Sequence, residues 1–160
     1  MATRRIREFL DGNGAKYVIL SHSPAYTSQE VAASAHVPGK AMAKTVIVKL
    51  DGRLAMAVVP ASREVEISLL RETTGAHFAE LADESEFADR FEGCQLGTMP
   101  PLGNLFGMST YMDQSLAKAE YIAFNAGTHT ELVLMKFVDY RRIAHPKLGR
   151  IAAVENVVKV

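Results

Sequence analysis

Two stretches of this 160-residue sequence combine residue types that could do chemistry. The first is Gly97-Thr98-Met99-Pro100-Pro101-Leu102-Gly103, two adjacent prolines bracketed by glycines. Proline fixes its own φ and pushes the preceding residue toward extended geometry, while glycine opens backbone conformations closed to other residues. The amide and carbonyl directions of such a loop are set by the backbone, so it can hold a small polar group in place. Taken alone, it also reads as a plain strand-to-strand connection. The second stretch is Lys44 at the head of the apolar run Thr45-Val46-Ile47-Val48. One reading makes Lys44 an edge residue that snorkels off an apolar strand and guards it from aggregation, in keeping with how rarely lysine is buried. The other makes it a cation aimed into a pocket, holding a phosphate or ester oxygen. A charge-assisted contact of that kind is worth roughly 1.5–3 kcal/mol, about 10- to 100-fold in rate or affinity.

Other chemistries are poorly supported. The five histidines, His22, His36, His77, His129 and His145, form no pair at ligand spacing, and there is one cysteine, so no metal site is expected. No glycine loop ends in Lys-Ser or Lys-Thr, no Gly-x-Gly-x-x-Gly opens a helix, and no Gly-x-Ser-x-Gly elbow is present. No cofactor is expected either. His129, following Gly127-Thr128, reads equally as a pocket wall or a turn residue. Cys94 reads as a small buried hydrophobe, with no histidine or basic cluster near it in sequence to activate a thiolate. Met42, Met56 and Met99 read most simply as core.

The elements that must position these residues follow from composition and periodicity. Apolar residues make up 48% and charged residues 22%, which describes a globular chain. Lys plus Arg and Asp plus Glu are 18 each, a balance that excludes a strongly basic, non-specific DNA binder but leaves room for a few phosphate contacts at an RNA terminus. A basic N-terminus without an apolar signal core, no run long enough to span a membrane, and a lone cysteine lead us to expect a cytoplasmic protein with no membrane partner.

Ile6, Phe9 and Leu10 are at helical spacing within residues 3–11, stopped by Gly12-Asn13-Gly14. A short strand follows over 17–20. Thr27-Ser28-Gln29-Glu30 matches a capping box that opens a helix ending before Pro38. Residues 44–50 and 53–59 flank Asp51-Gly52 and predict a tight hairpin, apolar enough to be covered on both faces. Helices are expected over 63–74, closed by Gly75, and from Asp83, with Phe87 and Phe91 on one side. Strands are expected over 108–112, 121–124 and 131–137, then a helical turn near 139–143. The apolar segment 151–160 can dock on the domain or on a partner. One compact α+β domain spanning 1–160, with a mixed sheet at its centre, accommodates all of this.

An ordered set of motifs gives a resemblance. Ser23-Pro24-Ala25-Tyr26-Thr27-Ser28-Gln29-Glu30-Val31, Ala43-Lys44-Thr45-Val46-Ile47-Val48 and Met56-Ala57-Val58-Val59-Pro60-Ala61 are followed by residues 97–107, Met112-Asp113 and Phe124-Asn125-Ala126-Gly127-Thr128-His129. In this order they resemble the YbaK/EbsC group, which includes the editing domain of bacterial prolyl-tRNA synthetases. The resemblance runs from about Ile6 to Pro146. It implies a strongly curved mixed sheet with flanking helices and a free-standing aminoacyl-tRNA deacylase that clears mischarged tRNA. Lys44 falls at the family's lysine, and Gly97 with Pro101 at its Gly-x-x-x-Pro pattern. Leu102 departs from the phenylalanine frequent at that position, which bears on substrate choice more than on the reaction.

What the resemblance implies of mechanism is attack by water on the aminoacyl ester, positioned by the loop backbone and by a ribose hydroxyl of the terminal adenosine. Lys44 and Gly97 would be catalytic, and Thr45, Thr98, Met99, Pro100, Pro101 and His129 would surround the substrate. The expected substrate carries alanine, serine or cysteine and not proline. The expected partners are the acceptor end of aminoacyl-tRNA and an aminoacyl-tRNA synthetase. A different class of protein, a module that holds the acceptor end or a nucleotide beside a synthetase without hydrolysis, fits the same residues.

Overall fold

The computed structural model describes residues 2–22, 37–95 and 97–154. A single eight-stranded mixed sheet carries the described elements, in the order β1-β7-β6-β2-β3-β5-β8, with β4 added on β2. The strands are β1 (Tyr17–Ser21), β2 (Met42–Leu50), β3 (Arg53–Pro60), β4 (Ala79–Leu81), β5 (Ser109–Asp113), β6 (Tyr121–Asn125), β7 (Glu131–Lys136) and β8 (Lys147–Gly149). The pairs β2/β6, β3/β5 and β5/β8 are parallel and the others antiparallel. Among the described residues the α-helices are α1 (Ala2–Gly12), α2 (Ile67–Thr74), α3 (Glu84–Phe87) and α4 (Phe137–Ala144). None is long and apolar enough to cross a membrane.

The β2–β3 hairpin forms as its sequence requires. Asp51 and Gly52 both take positive φ, 50° and 83°, the signature of the two-residue turn whose twist matches the strands it joins. Alternation along β2 then divides its side chains between two cores. Ala43 and Ile47, with Met56 and Val58 of β3, enter the largest apolar cluster, beneath α1 and α4. On the opposite face Val46 and Val48, with Ala55, Ala57 and Val59, pack under Leu70 of α2 and against Ile151 and Ala152. A separate patch on that second face joins Met42, Ala61, Ala123 and Leu132.

Some elements differ from expectation. Arg63 closes a turn on the Pro60 carbonyl, residues 64–66 are extended, and the helix begins at Ile67. Val65 bridges Ala152, the Glu66 N–H donates to the Ile151 carbonyl at 2.8 Å, and the Ala153 N–H to the Glu64 carbonyl at 2.7 Å. Pairing with a distant segment outweighs the local helical pattern there. The same contacts show that 151–153 dock on the domain itself. Phe137 opens α4 and does not extend β7. Strands β4 and β8 were not expected, since three residues are too few for an alternation to register. The capping-box helix at 27–36, the motif at 23–31 and His36 lie outside the described residues, as does the tail beyond 154.

Candidate active site

Lys44 sits where the second face of the sheet is not sealed. Its strand neighbours on that face, Met42 and Val46, belong to two different apolar patches, and Lys44 occupies the seam between them. Its side chain is 19% exposed, and its ammonium lies 3.0 Å from Glu64 Oε1, a carboxylate that is itself 81% exposed. A single pair with so solvated a partner is weak and readily exchanged. The sheet also divides at this point. Strand β2 pairs with β6 through Ala43↔Phe124 and with β4 from Val48 onward, so β6 and β4 diverge on either side of Lys44.

The parallel pairing of β2 with β6, Met42 with Ala123 and Ala43 with Phe124, ends one residue before Lys44 and Asn125. Alternation sets both of these on the face of Met42 and Ala123. Asn125 is 5% exposed, and among the described residues its Oδ1 has no hydrogen-bond partner. A buried carbonyl oxygen left in that state costs roughly 1–3 kcal/mol. Such a cost is tolerated where a ligand supplies the missing donor.

The proline loop is tied to the same place. Immediately after Asn125, the chain turns through Ala126 and Gly127, whose φ is +86°. The Gly127 N–H donates to the Thr98 carbonyl at 3.1 Å and the Gly127 carbonyl accepts from the Gln95 N–H at 2.9 Å. The His129 N–H donates to Gln95 Oε1 at 2.6 Å. Gly97, exposed, has φ +79°, with open space where a Cβ would project. Beyond it the loop sinks into the protein. Thr98, Met99 and Leu102 are buried, Met99 and Leu102 in the largest cluster. The buried Tyr140 hydroxyl donates to the Pro101 carbonyl at 2.5 Å, and burial pushes that phenol far above its ordinary pKa. At the far end, Gly103 cannot carry a side chain, because a Cβ would meet the Met108 carbonyl at 2.5 Å.

Backbone and Gln95 hydrogen bonds thus tie the Gly97–Thr98 corner and His129 to the turn at Gly127, while Lys44 lies on β2, the strand that pairs with β6 just before that turn, and Thr45 faces away. Alternation sets Thr45 opposite Lys44, on the face of Ala43 and Ile47. The Thr98 hydroxyl is occupied by the Gln95 carbonyl at 2.6 Å. The Met99 and Leu102 side chains are core groups, so the leucine at 102 acts on the loop from beneath. Burial raises the Cys94 thiol above its usual range, which suits an inert packing residue. Asn125 is not among the residues the sequence marks as candidates. A polar side chain ending a strand of otherwise apolar residues, just before a Gly turn, was the available signal.

The family model of the aminoacyl-tRNA editing domain matches residues 22–143. Among curated proteins, a relative from Escherichia coli strain K12, the multifunctional Ser/Thr-tRNA deacylase ProXp-y, is 29% identical over 153 residues, covering 91% of this chain and 89% of that protein. Its counterpart in Escherichia coli O157:H7 matches to the same degree. Among solved structures, a proposed trans-editing enzyme for prolyl-tRNA synthetase superposes with a TM-score of 0.81 at 17% identity, over 96% of this chain and 98% of that one. The hypothetical protein APE2540 gives 0.82 at 20% identity, over 93% of this chain and 99% of the other. These two likenesses speak for the fold.

Proposed function

This chain belongs to the aminoacyl-tRNA editing domain family and is a deacylase, and from that premise we propose that it hydrolyses the ester of tRNA mischarged with a small amino acid. Alanine, serine and cysteine are the side chains we assign, with serine first because the curated relative is named for Ser/Thr-tRNA. What supports the reading is the order of three groups along β2, β6 and the turn after it: the Lys44 cation just past the end of the β2/β6 pairing, the Asn125 oxygen, unpartnered among the described residues, and the Gly97–Thr98 corner tied to Gly127.

Each group has a distinct part. Lys44 exchanges its exposed Glu64 partner for a phosphate or ester oxygen of the substrate. The main chain at Gly97 orients the attacking water or faces the oxyanion as the carbonyl becomes tetrahedral, a contribution of about 10²–10³ in rate when the donor is preorganised. We take water as the nucleophile, helped, as the family resemblance implies, by a ribose hydroxyl of the terminal adenosine. Water adds to the ester carbonyl, the bond to the ribose oxygen breaks, and the proton passes to that oxygen. The products are free amino acid and uncharged tRNA. Selectivity rests on pocket size, which separates neighbours differing by one methylene by only about 10- to 200-fold. A cytoplasmic site of action, with or without a synthetase as partner, is consistent with this substrate.

The test is deacylation of alanyl-, seryl-, cysteinyl- and threonyl-tRNA by the wild type, Lys44→Ala and Lys44→Arg. We expect Lys44→Ala to lower kcat/KM by about 10- to 100-fold, partly restored by arginine, with little change in melting temperature because Glu64 is solvated. Equal rates for wild type and Lys44→Ala would remove Lys44 from the mechanism. A charged tRNA that binds the wild type and stays intact would favour the holding module over the enzyme.

A further inference from the structure

A cleft of about 420 Å³ opens at the ends of β2 and β3 nearest Lys44, lined among others by Lys40, Ala41, Pro60, Arg63, Ser115 and Lys118. Its charge is one-sided. Three cations and no carboxylate line it, in a chain whose net charge is zero. Lys40 and Lys118 are exposed, and neither has an ion-pair partner among the described residues.

Arg63 is held differently. Its Nε donates to the Ala153 carbonyl at 2.7 Å, one terminal nitrogen to the Ala152 carbonyl at 3.1 Å, and the other lies 3.5 Å from Asp113 Oδ2. The guanidinium is thus fixed in place before any ligand arrives, and little side-chain freedom remains to be lost on binding.

The position of the cleft tells which anion fits. Ala43 faces Pro60 and Lys44 faces Val59, so the cleft wall at Ala41 lies three residues before Lys44 on one strand. At about 3.3 Å per residue this is about 10 Å, the length of about three nucleotides stacked at 3.4 Å. We propose that the Lys40–Arg63–Lys118 cleft binds backbone phosphates of the single-stranded 3′ end of the RNA, so that the terminal ester reaches Lys44. Two mobile lysines track the phosphates and the fixed arginine sets the register. The inference rests on the deacylase reading for what lies at the end of that strand, but the phosphate contact can be measured without it.

The experiment compares the full chain with the Lys40→Ala/Lys118→Ala double variant, with Lys40→Arg/Lys118→Arg as the charge-keeping control. Binding of uncharged tRNA is followed by fluorescence anisotropy over a salt series. Each phosphate contact on a single strand contributes about 0.7 to the slope of log K against log salt. The double alanine variant should have a slope shallower by about 1.4 and bind about 25-fold more weakly near 0.1 M salt. The arginine variant should match the wild type. The deficit should vanish on tRNA lacking its single-stranded 3′ terminus. An unchanged slope, or a deficit that persists on the truncated RNA, overturns the proposal.

A second arm uses seryl-tRNA and seryl-adenosine, which has no internucleotide phosphate. The double alanine variant should raise KM for seryl-tRNA, keep kcat, and cleave seryl-adenosine at the wild-type rate. An equal loss on both esters overturns the cleft assignment. A wild type that hydrolyses neither ester overturns the deacylase reading, while the anisotropy arm still decides the cleft.

Discussion

Asp113 and Asn125 end β5 and β6, two strands of one sheet with β2 and β3 between them, both buried and both polar, and the protein treats them in opposite ways. Asp113, 2% exposed, is saturated. Its oxygens accept from the Ile151 N–H at 3.0 Å, the Ala152 N–H at 2.9 Å, the Ser115 N–H at 3.2 Å and the Ser115 hydroxyl, with Arg63 alongside. Asn125 has an oxygen with no donor among the described residues. A satisfied buried carboxylate holds structure together, and here it clamps the 151–153 segment to the end of β5. An unsatisfied buried carbonyl adds nothing to stability, and under the proposed function its donor comes from the substrate. The Thr45 hydroxyl, on the opposite face, also lacks a partner among the described residues, so an unmet polar atom points to a site only together with its place in the fold.

The largest effect should come from breaking the saturated partner. Asp113→Asn replaces an acceptor-only group by one that presents N–H to N–H and leaves Arg63 without its carboxylate. We expect a loss of about 3 kcal/mol, read by denaturant unfolding, with release of the C-terminal segment. Burial would raise the Asp113 pKa, but the hydrogen bonds from Ser115, Ile151 and Ala152 outweigh it and hold the carboxyl below its ordinary value. Between the folded pKa and about 3.9 in the unfolded chain, the unfolded state binds more protons, so stability rises with pH there. The contribution is complete above the unfolded value and is lost as pH falls through the folded one. Wild type and Asp113→Asn should therefore differ most near neutrality and converge in acid. A constant difference across that range would mean that the carboxylate charge is not what matters.

Next in size is Gly97→Ala, which tests whether the corner is scaffold or site. No atom obstructs the added methyl, so the whole penalty is that of a left-handed residue, about 1–2 kcal/mol. In a chain of this length that lowers the melting temperature by roughly 2–8 °C. Deacylation should fall further than stability, by about 10²-fold, because the displaced main chain no longer faces the reacting carbonyl. A loss of rate no greater than the loss of folded protein would return Gly97 to the scaffold.

Much of this could be read from the sequence, for identifiable reasons. The hairpin was legible because Asp51-Gly52 and two apolar runs agree at the level of turn and strand. Helix α1 announced itself by apolar spacing, only the middle of α4 was legible as a helical turn, and Gly75 closes α2 with φ +75° as a terminal glycine should. Lys44 and the proline loop were legible as unusual residues, but not how they are placed. What relates them is the parallel pairing of β2 with β6, strands about 80 positions apart, for which no local pattern exists. The same holds for the extended segment at 64–66, whose partner lies at 151–153, and for the clamp on Asp113. Local chemistry shows in the sequence, and long-range register does not.

Asn125→Ala should have the smallest effect on stability, and for that reason it discriminates best. Truncation removes a buried oxygen whose desolvation costs roughly 1–3 kcal/mol, and it also removes packing volume, which costs a similar amount in the other direction. The two nearly cancel, so the unfolding free energy should move by less than about 1 kcal/mol. Deacylation should nevertheless fall by about 10-fold, the worth of one hydrogen bond from a charged or strongly polar donor on the substrate. Asn125→Asp sharpens the test. It keeps the acceptor and the volume but sets a carboxylate on the same face as Lys44, so the cation gains an internal partner and KM for the RNA should rise. If Asn125→Ala destabilises the protein as much as Asp113→Asn does, the oxygen is structural after all and the contrast between the two strand ends fails.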